Sequence, residues 1–213
     1  VSSLRNFCAA AGFCPVLGGT RRDSRFAGLL GLIIGFVSRQ MDRRETNPFF
    51  STIVEAFAMA APAYLAAGFH LVDYIDFVII GTLMILVPGL LITTSMRDII
   101  YGDTNSGINR IVQVLLSAFA IALGTAAAWR VTSGVYGLTV ASGSASYPAW
   151  AQAVMIFVAC TGFFILFNVH DWGSILCALG GVFTWMTYLF CRDLGMSIYS
   201  MNFFAAVVSA LYS

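Results

Sequence analysis

Seven apolar stretches near the length of a membrane crossing, with an eighth begun, divide this 213-residue chain and constrain its fold more than any motif. Crossing about 30 Å of hydrocarbon takes roughly 20 residues of helix. The stretches are Leu4 to Leu17, which is short, then Ser24 to Met41, Pro48 to Leu71, Phe77 to Ser95, Ile108 to Trp129, Pro148 to Phe167 and Gly173 to Phe190. The eighth starts at Met201. In lipid every backbone N–H and C=O must be bonded within its own segment, so such runs are helices unless a barrel closes, and nothing here alternates with period two. The expected fold class is all-α, a polytopic membrane helix bundle.

Composition agrees. Hydrophobic residues make up 59% and charged residues 10% of the chain, against about 25% charged in soluble domains. The 11 basic residues, all arginine, nearly cancel the 10 acids, so no basic field exists to hold nucleic acid. The expected partners are a lipid bilayer, a small polar solute and protons, with self-association into a homo-oligomer left open. Cys8, Cys14, Cys160, Cys177 and Cys191 sit within or beside apolar runs, without metal-ligand spacing, and read as packing residues. No metal and no cofactor is expected. Counting arginines on alternate sides gives six against five, which leaves orientation undecided. The chain begins at Val1 and reads as a piece of a longer protein.

Sliding the sequence on itself by 150 residues pairs Gly12 with Gly162, Phe13 with Phe163, Ser24 with Ser174, Leu29 with Leu179 and Gly31 with Gly181. At a shift of 154, Phe49 pairs with Phe203, Phe50 with Phe204, Val54 with Val208 and Ala56 with Ala210. Five spans per unit, an odd number, make the second unit enter the membrane from the opposite side, which is an inverted repeat of five-helix units with the second incomplete. The expected organisation is a first membrane module over 1–130, a Gly/Ser/Thr-rich linker over 131–147, and the start of a second module over 148–213. If the gene continues, the shift of 154 places another proline-glycine break near position 242. Trp129, Tyr136, Tyr147 and Trp150 bracket the linker and suit an interface belt, and Gly28, Gly31 and Gly35 clear one side of the second span for packing.

Few residues offer chemistry. Pro88 and Gly89 fall near the middle of the fourth span, where a lost N–H and a flexible backbone either free carbonyls toward a cavity or make a kink satisfied by neighbours. Glu55 is the carboxylate well inside an apolar span. An ionised acid there costs about 2.5 kcal/mol or more, so it faces a cavity, holds a partner or stays protonated; otherwise it snorkels to the headgroups beyond Pro48. The segment from Thr93 to Arg110 concentrates hydroxyls and charges, including Arg97, Asp98, Asp103 and Ser106. It is either a solvated turn or a set of charges that pair or face a transport path, with Asp103 or Ser106 capping the next helix. His70, Asp73 and Asp76 read as a wet loop rather than a metal site.

The sequence carries no nucleophile elbow, Walker loop or dinucleotide fingerprint, so an enzyme is not expected. The stretch Leu86-Val-Pro-Gly-Leu-Leu-Ile-Thr-Thr-Ser-Met-Arg97-Asp98, followed by Gly102-Asp103-Thr-Asn-Ser106-Gly107-Ile-Asn-Arg110, resembles the signature of the threonine/serine exporter family. Phe164-Ile-Leu-Phe167-Asn168 and Ala178-Leu-Gly180-Gly181-Val-Phe-Thr-Trp185 resemble the start of that family's second module, which adds Asn168 to the pathway candidates. The resemblance implies a ten-helix exporter in the cell membrane, driven by the proton gradient, that removes threonine and serine. Relatives with separate modules are linked to dicarboxylate export, succinate above all, so dicarboxylates are the alternative substrate. A non-transporting membrane subunit or a passive channel is the alternative of a different class. Gln113 stands where many members carry an acid, and the family's soluble N-terminal region and last helices are lacking.

Overall fold

The computed structural model describes residues 2–136, 147–166 and 173–212, and it is helical throughout, with no strand among the described residues. In chain order the helices are α1 (Ser2–Leu17), α2 (Arg21–Asp42), α3 (Pro48–Gly68), α4 (Ile75–Leu83), α5 (Gly89–Ile100), α6 (Thr104–Tyr136), α7 (Ala149–Leu166), α8 (Gly173–Asp193) and α9 (Ile198–Tyr212). Three stretches, Pro48–Gly68, Thr104–Gly134 and Ile175–Asp193, are long and apolar enough to cross a membrane. Much of their apolar surface faces outward. On α6, Val112, Leu115, Leu116, Phe119 and Leu123 are all exposed at helical spacing, a stripe that water would penalise and lipid solvates without cost.

Two expected boundaries move. The fourth apolar run is two helices, α4 and α5, separated at residues 84–88. The fifth begins at Thr104 and continues through Tyr136, so the first six residues of the expected linker are helical. Hydropathy fades after Trp129, but Arg130, Thr132 and Ser133 still form intrahelical bonds, Thr132 Oγ1 donating to the Ala128 carbonyl at 2.7 Å. Apolar content marks where lipid ends, not where the helix ends. The rest of the linker, 137–146, lies outside the described residues.

The interior is built on close helix approaches. A Cβ added to Gly12 of α1 would lie 2.7 Å from the Ala159 backbone of α7, and one on Gly162 of α7 would lie 2.7 Å from the Ala9 backbone of α1. Phe13 and Phe163 meet edge to face with centroids 5.1 Å apart. The Tyr147 hydroxyl, just before α7, donates to the Gly19 carbonyl just after α1 at 3.0 Å, so the two helices run antiparallel. Adding 150 to one number and subtracting it from the other converts Gly12–Ala159 into Gly162–Ala9 and maps Phe13–Phe163 onto itself.

Further features recur at the same spacing. Gly31 of α2 packs on Ala10, and Gly181 of α8 packs on Cys160. The turn after α2 carries a left-handed residue, Glu45 at φ 50°, and the turn after α8 carries Gly195 at φ 71°. In those turns the Glu45 N–H donates to the Asp42 carbonyl, and the Gly195 N–H to that of Arg192. Phe49–Phe50 at the start of α3 and Phe203–Phe204 in α9 make matching edge contacts at 5.6 and 5.7 Å. Between the two sets the spacing grows by four residues, and α9 starts four residues ahead of Asn202, the counterpart of Pro48 that opens α3. Four residues are close to one turn, so the apolar face is kept.

A single carboxylate ties two turns of the bundle together. Thr20 and Asp23 form a capping box at the start of α2, and Asp23, fully buried, also accepts the backbone N–H groups of Asp73 at 2.9 Å and Tyr74 at 3.3 Å. Thr20 Oγ1 donates to the Asp73 carboxylate at 2.9 Å. The loop leading into α4 is thereby fastened to the turn between α1 and α2 through Asp73 and Tyr74.

Substitutions at Gly12, with Gly134 as its control, and at Asp23 test this packing. Gly12→Val should lower stability by about 3 kcal/mol or more, since the new side chain meets backbone that cannot rotate away, whereas Gly134→Ala, facing open space, should be neutral. Asp23→Ala, which strips the buried acceptor from the N–H groups of Thr20, Asp73 and Tyr74, should cost a similar roughly 3 kcal/mol, with Asp23→Asn intermediate. Thermal unfolding in detergent checks both; wild-type melting of Gly12→Val would remove the α1–α7 contact from the folding argument.

Candidate functional site

The break between α4 and α5 is a sequence of tight turns. Leu86 N–H bonds the Leu83 carbonyl at 2.8 Å, and Pro88, at φ −77° and ψ 64°, closes an inverse γ-turn in which Gly89 N–H donates to Val87 O at 2.8 Å. Pro88 supplies no N–H of its own, so the ladder cannot pass through it. As a result the carbonyls of Met84, Ile85 and Leu86 accept no backbone N–H among the described residues. The start of α5 has no side-chain cap, and with the Gly89 N–H taken by Val87 this leaves the N–H groups of Leu90 and Leu91 without an acceptor among the described residues, with the positive end of the helix dipole behind them. Of the two readings of Pro88-Gly89, the structure has the break rather than a satisfied kink.

The break borders a pocket of about 300 Å³ lined by Phe13, Met84, Val87, Gly89, Leu90 and Phe163, so of the three unbonded carbonyl residues Met84 is the one on its wall. Its side walls are apolar, its polar features are backbone, and two of its walls are the phenylalanines of the α1–α7 contact. Gly89 faces open space, so a side chain there is sterically allowed. Thr93, one turn into α5, donates its hydroxyl back to the Gly89 carbonyl at 2.7 Å. Phe13, Met84, Val87 and Phe163 carried no individual signal in the sequence, because an apolar residue in an apolar helix says nothing about what it faces.

Glu55 lies elsewhere, on α3. It is 8% exposed, two turns inside the helix, and accepts the Ser51 hydroxyl at 2.9 Å. Ser38 and Asp42 of α2 face it from the neighbouring helix. Gly124 of α6 lets that helix close on the backbone at Ile53 and Phe57, walling off the other side. The carboxylate is therefore held between α2 and α3.

The Thr93–Arg110 segment is mostly helix. Arg97 and Asp98 close α5, Asp103 caps α6 by accepting the Ser106 N–H at 3.4 Å, and Gly102 makes the turn at φ 92°. Asp98 receives Arg110 Nη1 at 3.3 Å and the Ser106 hydroxyl at 3.3 Å, with its side chain 16% exposed. Arg97 reaches Asp98 only at 3.9 Å and stays 66% exposed. Asp98, Ser106 and Arg110 are thus brought together as a clasp across the α5–α6 turn, while Arg97 and Asp103 face outward. Asn168 lies outside the described residues.

At the far end of the bundle, burial pushes the Tyr147 phenol up from its ordinary range, opposed in part by the Arg21 guanidinium. Asp23, beside it, was missed as a single residue although Thr20-Arg-Arg-Asp23 ahead of an apolar run is a capping-box spacing.

The clasp makes a graded expectation. Asp98→Ala should destabilise the α5–α6 turn by on the order of 1 kcal/mol, Arg110→Ala by about half that because its side chain is 37% exposed, and Arg97→Ala should be neutral. Hydrogen exchange of the α5 and early α6 amides resolves the three; equal protection in all of them would mean that no clasp operates.

A family model described as a threonine/serine exporter matches residues 1–132, and a second model of the same description matches residues 152–213. No curated protein and no solved structure matches the chain significantly. With helices long and apolar enough for a membrane and both halves matched, the chain belongs to the threonine/serine exporter family, a family of export transporters.

Proposed function

We propose that the chain is a secondary exporter of small hydroxy amino acids, threonine and serine, in the cell membrane, with substrate bound at the α4–α5 break. The observation that carries the reading is the pocket at that break, where the uncapped start of α5 at Leu90, the Met84 backbone and the paired Phe13 and Phe163 meet. A zwitterion suits such a place. Its carboxylate is drawn to the α5 N-terminus and its ammonium to the carbonyls of Met84, Ile85 and Leu86, with the apolar walls excluding water. An inverted repeat relating the two modules supports the same location. The recurrent contacts at spacing 150 and the antiparallel crossing of α1 and α7 favour a two-fold axis in the membrane plane, next to which alternating access operates.

Proton coupling is assigned to Glu55. A buried carboxylate with two hydroxyls near it and a second acid, Asp42, facing it has a use for one proton, and the shift of 154 gives it Ser209 as its counterpart, so the two halves differ there. Protonation changes its charge and with it the contact between α2 and α3.

Vesicles loaded with labelled threonine or with succinate, assayed with the proton gradient intact and then collapsed, test the reading. Threonine efflux should depend on the gradient and succinate efflux should be at least tenfold lower; the reverse preference would make the chain a dicarboxylate exporter. Leu90→Trp, which fills the pocket, should abolish both efflux and exchange at unchanged membrane abundance, and normal transport in it would sink the site. Glu55→Gln should lose gradient-driven efflux tenfold or more while exchange persists. Accumulation against a gradient with wild-type pH dependence in Glu55→Gln would return this residue to a structural role.

A further inference from the structure

A second groove, of about 380 Å³, lies on the opposite side of α1 from the substrate pocket's break, between α1, α7 and the first turn of α2. Its long walls are apolar: Phe7, Ala11 and Pro15 from α1 and Val154 and Val158 from α7. From Phe7 to Pro15 the helix rises about 12 Å, the length of a good part of an acyl chain. One end differs sharply from the rest. Arg21 and Arg25, one turn apart on α2, reach the groove there, with Ser24 between them donating its hydroxyl to the Ala11 carbonyl at 2.6 Å.

Nothing in the described residues neutralises these two guanidiniums. Neither makes an ion pair, and Asp23, adjacent in sequence, is turned into the capping box with its oxygens taken by the N–H groups of Thr20, Asp73 and Tyr74. Both arginines are exposed. The same end of the bundle carries Tyr147 and, one turn ahead of Val154, Trp150, which is 71% exposed. Trp and Tyr rings beside arginines mark the headgroup level of a bilayer. The groove therefore runs from an anion-seeking mouth at the interface down into the hydrocarbon.

We propose that this groove is a binding site for an anionic phospholipid, with the phosphate between Arg21 and Arg25 and one acyl chain laid along the α1–α7 seam. A zwitterionic lipid fits the apolar part equally but gains less at the mouth, since each arginine near an anionic surface favours the anionic headgroup. By filling the seam beside Gly12, the lipid braces the contact on which the two halves meet. This inference is independent of the transported substrate.

The purified chain in a neutral detergent is titrated with phosphatidylglycerol, phosphatidylcholine or inorganic phosphate, and bound lipid and melting temperature are read by native mass spectrometry and thermal unfolding. Phosphatidylglycerol should bind and raise the melting temperature; phosphatidylcholine should bind about tenfold or more weakly, and phosphate alone should do nothing. Arg21→Gln with Arg25→Gln should erase the preference, whereas Arg43→Gln with Arg44→Gln, at the other end of α2, should keep it. Val158→Trp, which retains both arginines and blocks the seam, should also lose the lipid, and it decides the matter if the arginine pair cannot be purified. Equal binding of both lipids, a full effect from phosphate, or a preference that survives either groove variant would overturn the proposal.

Discussion

Two helices that touch backbone to backbone set the arrangement of everything else. In lipid, apolar side chains gain nothing by leaving their solvent, so helices associate through packing and through close approach at small residues. Gly12 against Ala159 and Gly162 against Ala9 make that approach between α1 and α7. It turns Phe13 and Phe163 toward each other, which creates the side walls of the pocket. It also brings the end of α7 that carries Tyr147 onto the turn after α1, where Asp23 gathers the chain. Glycine at these positions is a matter of space rather than of conformation.

The α4–α5 break divides one apolar run into unlike halves. Residues Ile75, Val78, Ile79 and Thr82 of α4 are buried against α1, α2 and α3, whereas α5 packs on α6 and buries only Ser95. One half is held by the latch at Asp73 and the other by the clasp at Asp98, each at the end away from the break. Fastened outer ends and unpaired inner ends make the break the place where free backbone groups collect. Polar backbone at membrane depth persists only where protein or a water-filled cavity receives it, and here a pocket does.

Much of this was legible in the residues. The helices follow from the length of the apolar runs, because lipid leaves the backbone no other way to bond. The break follows from Pro88, whose missing N–H interrupts any ladder. What Arg97 to Arg110 does was open between a wet turn and a functional cluster, since the sequence does not say whether α5 and α6 fold back on one another; they do, and Asp98, Ser106 and Arg110 then meet. Asp23 looked like one more charge beside Arg21 and Arg22, and its burial needed the α3–α4 loop to arrive. The end of α6 was set too early because hydropathy was read where hydrogen bonding continues.

Local rules therefore decided what each segment is: a helix in lipid, a break at proline, a cap at Thr20 and Asp103. These depend on neighbours within one turn, and one turn is visible in a string of letters. Which apolar residues face a pocket, which acids are buried and which glycines are contacts depend on helices far apart in the chain meeting at particular faces. That step is governed by shape complementarity between surfaces of nearly uniform hydrophobicity, so composition and periodicity carry almost no record of it. Phe13 and Phe163 show the difference: their equivalence could be counted along the chain, but only the antiparallel crossing of α1 and α7 put the two rings 5.1 Å apart beside the opened backbone of α4 and α5.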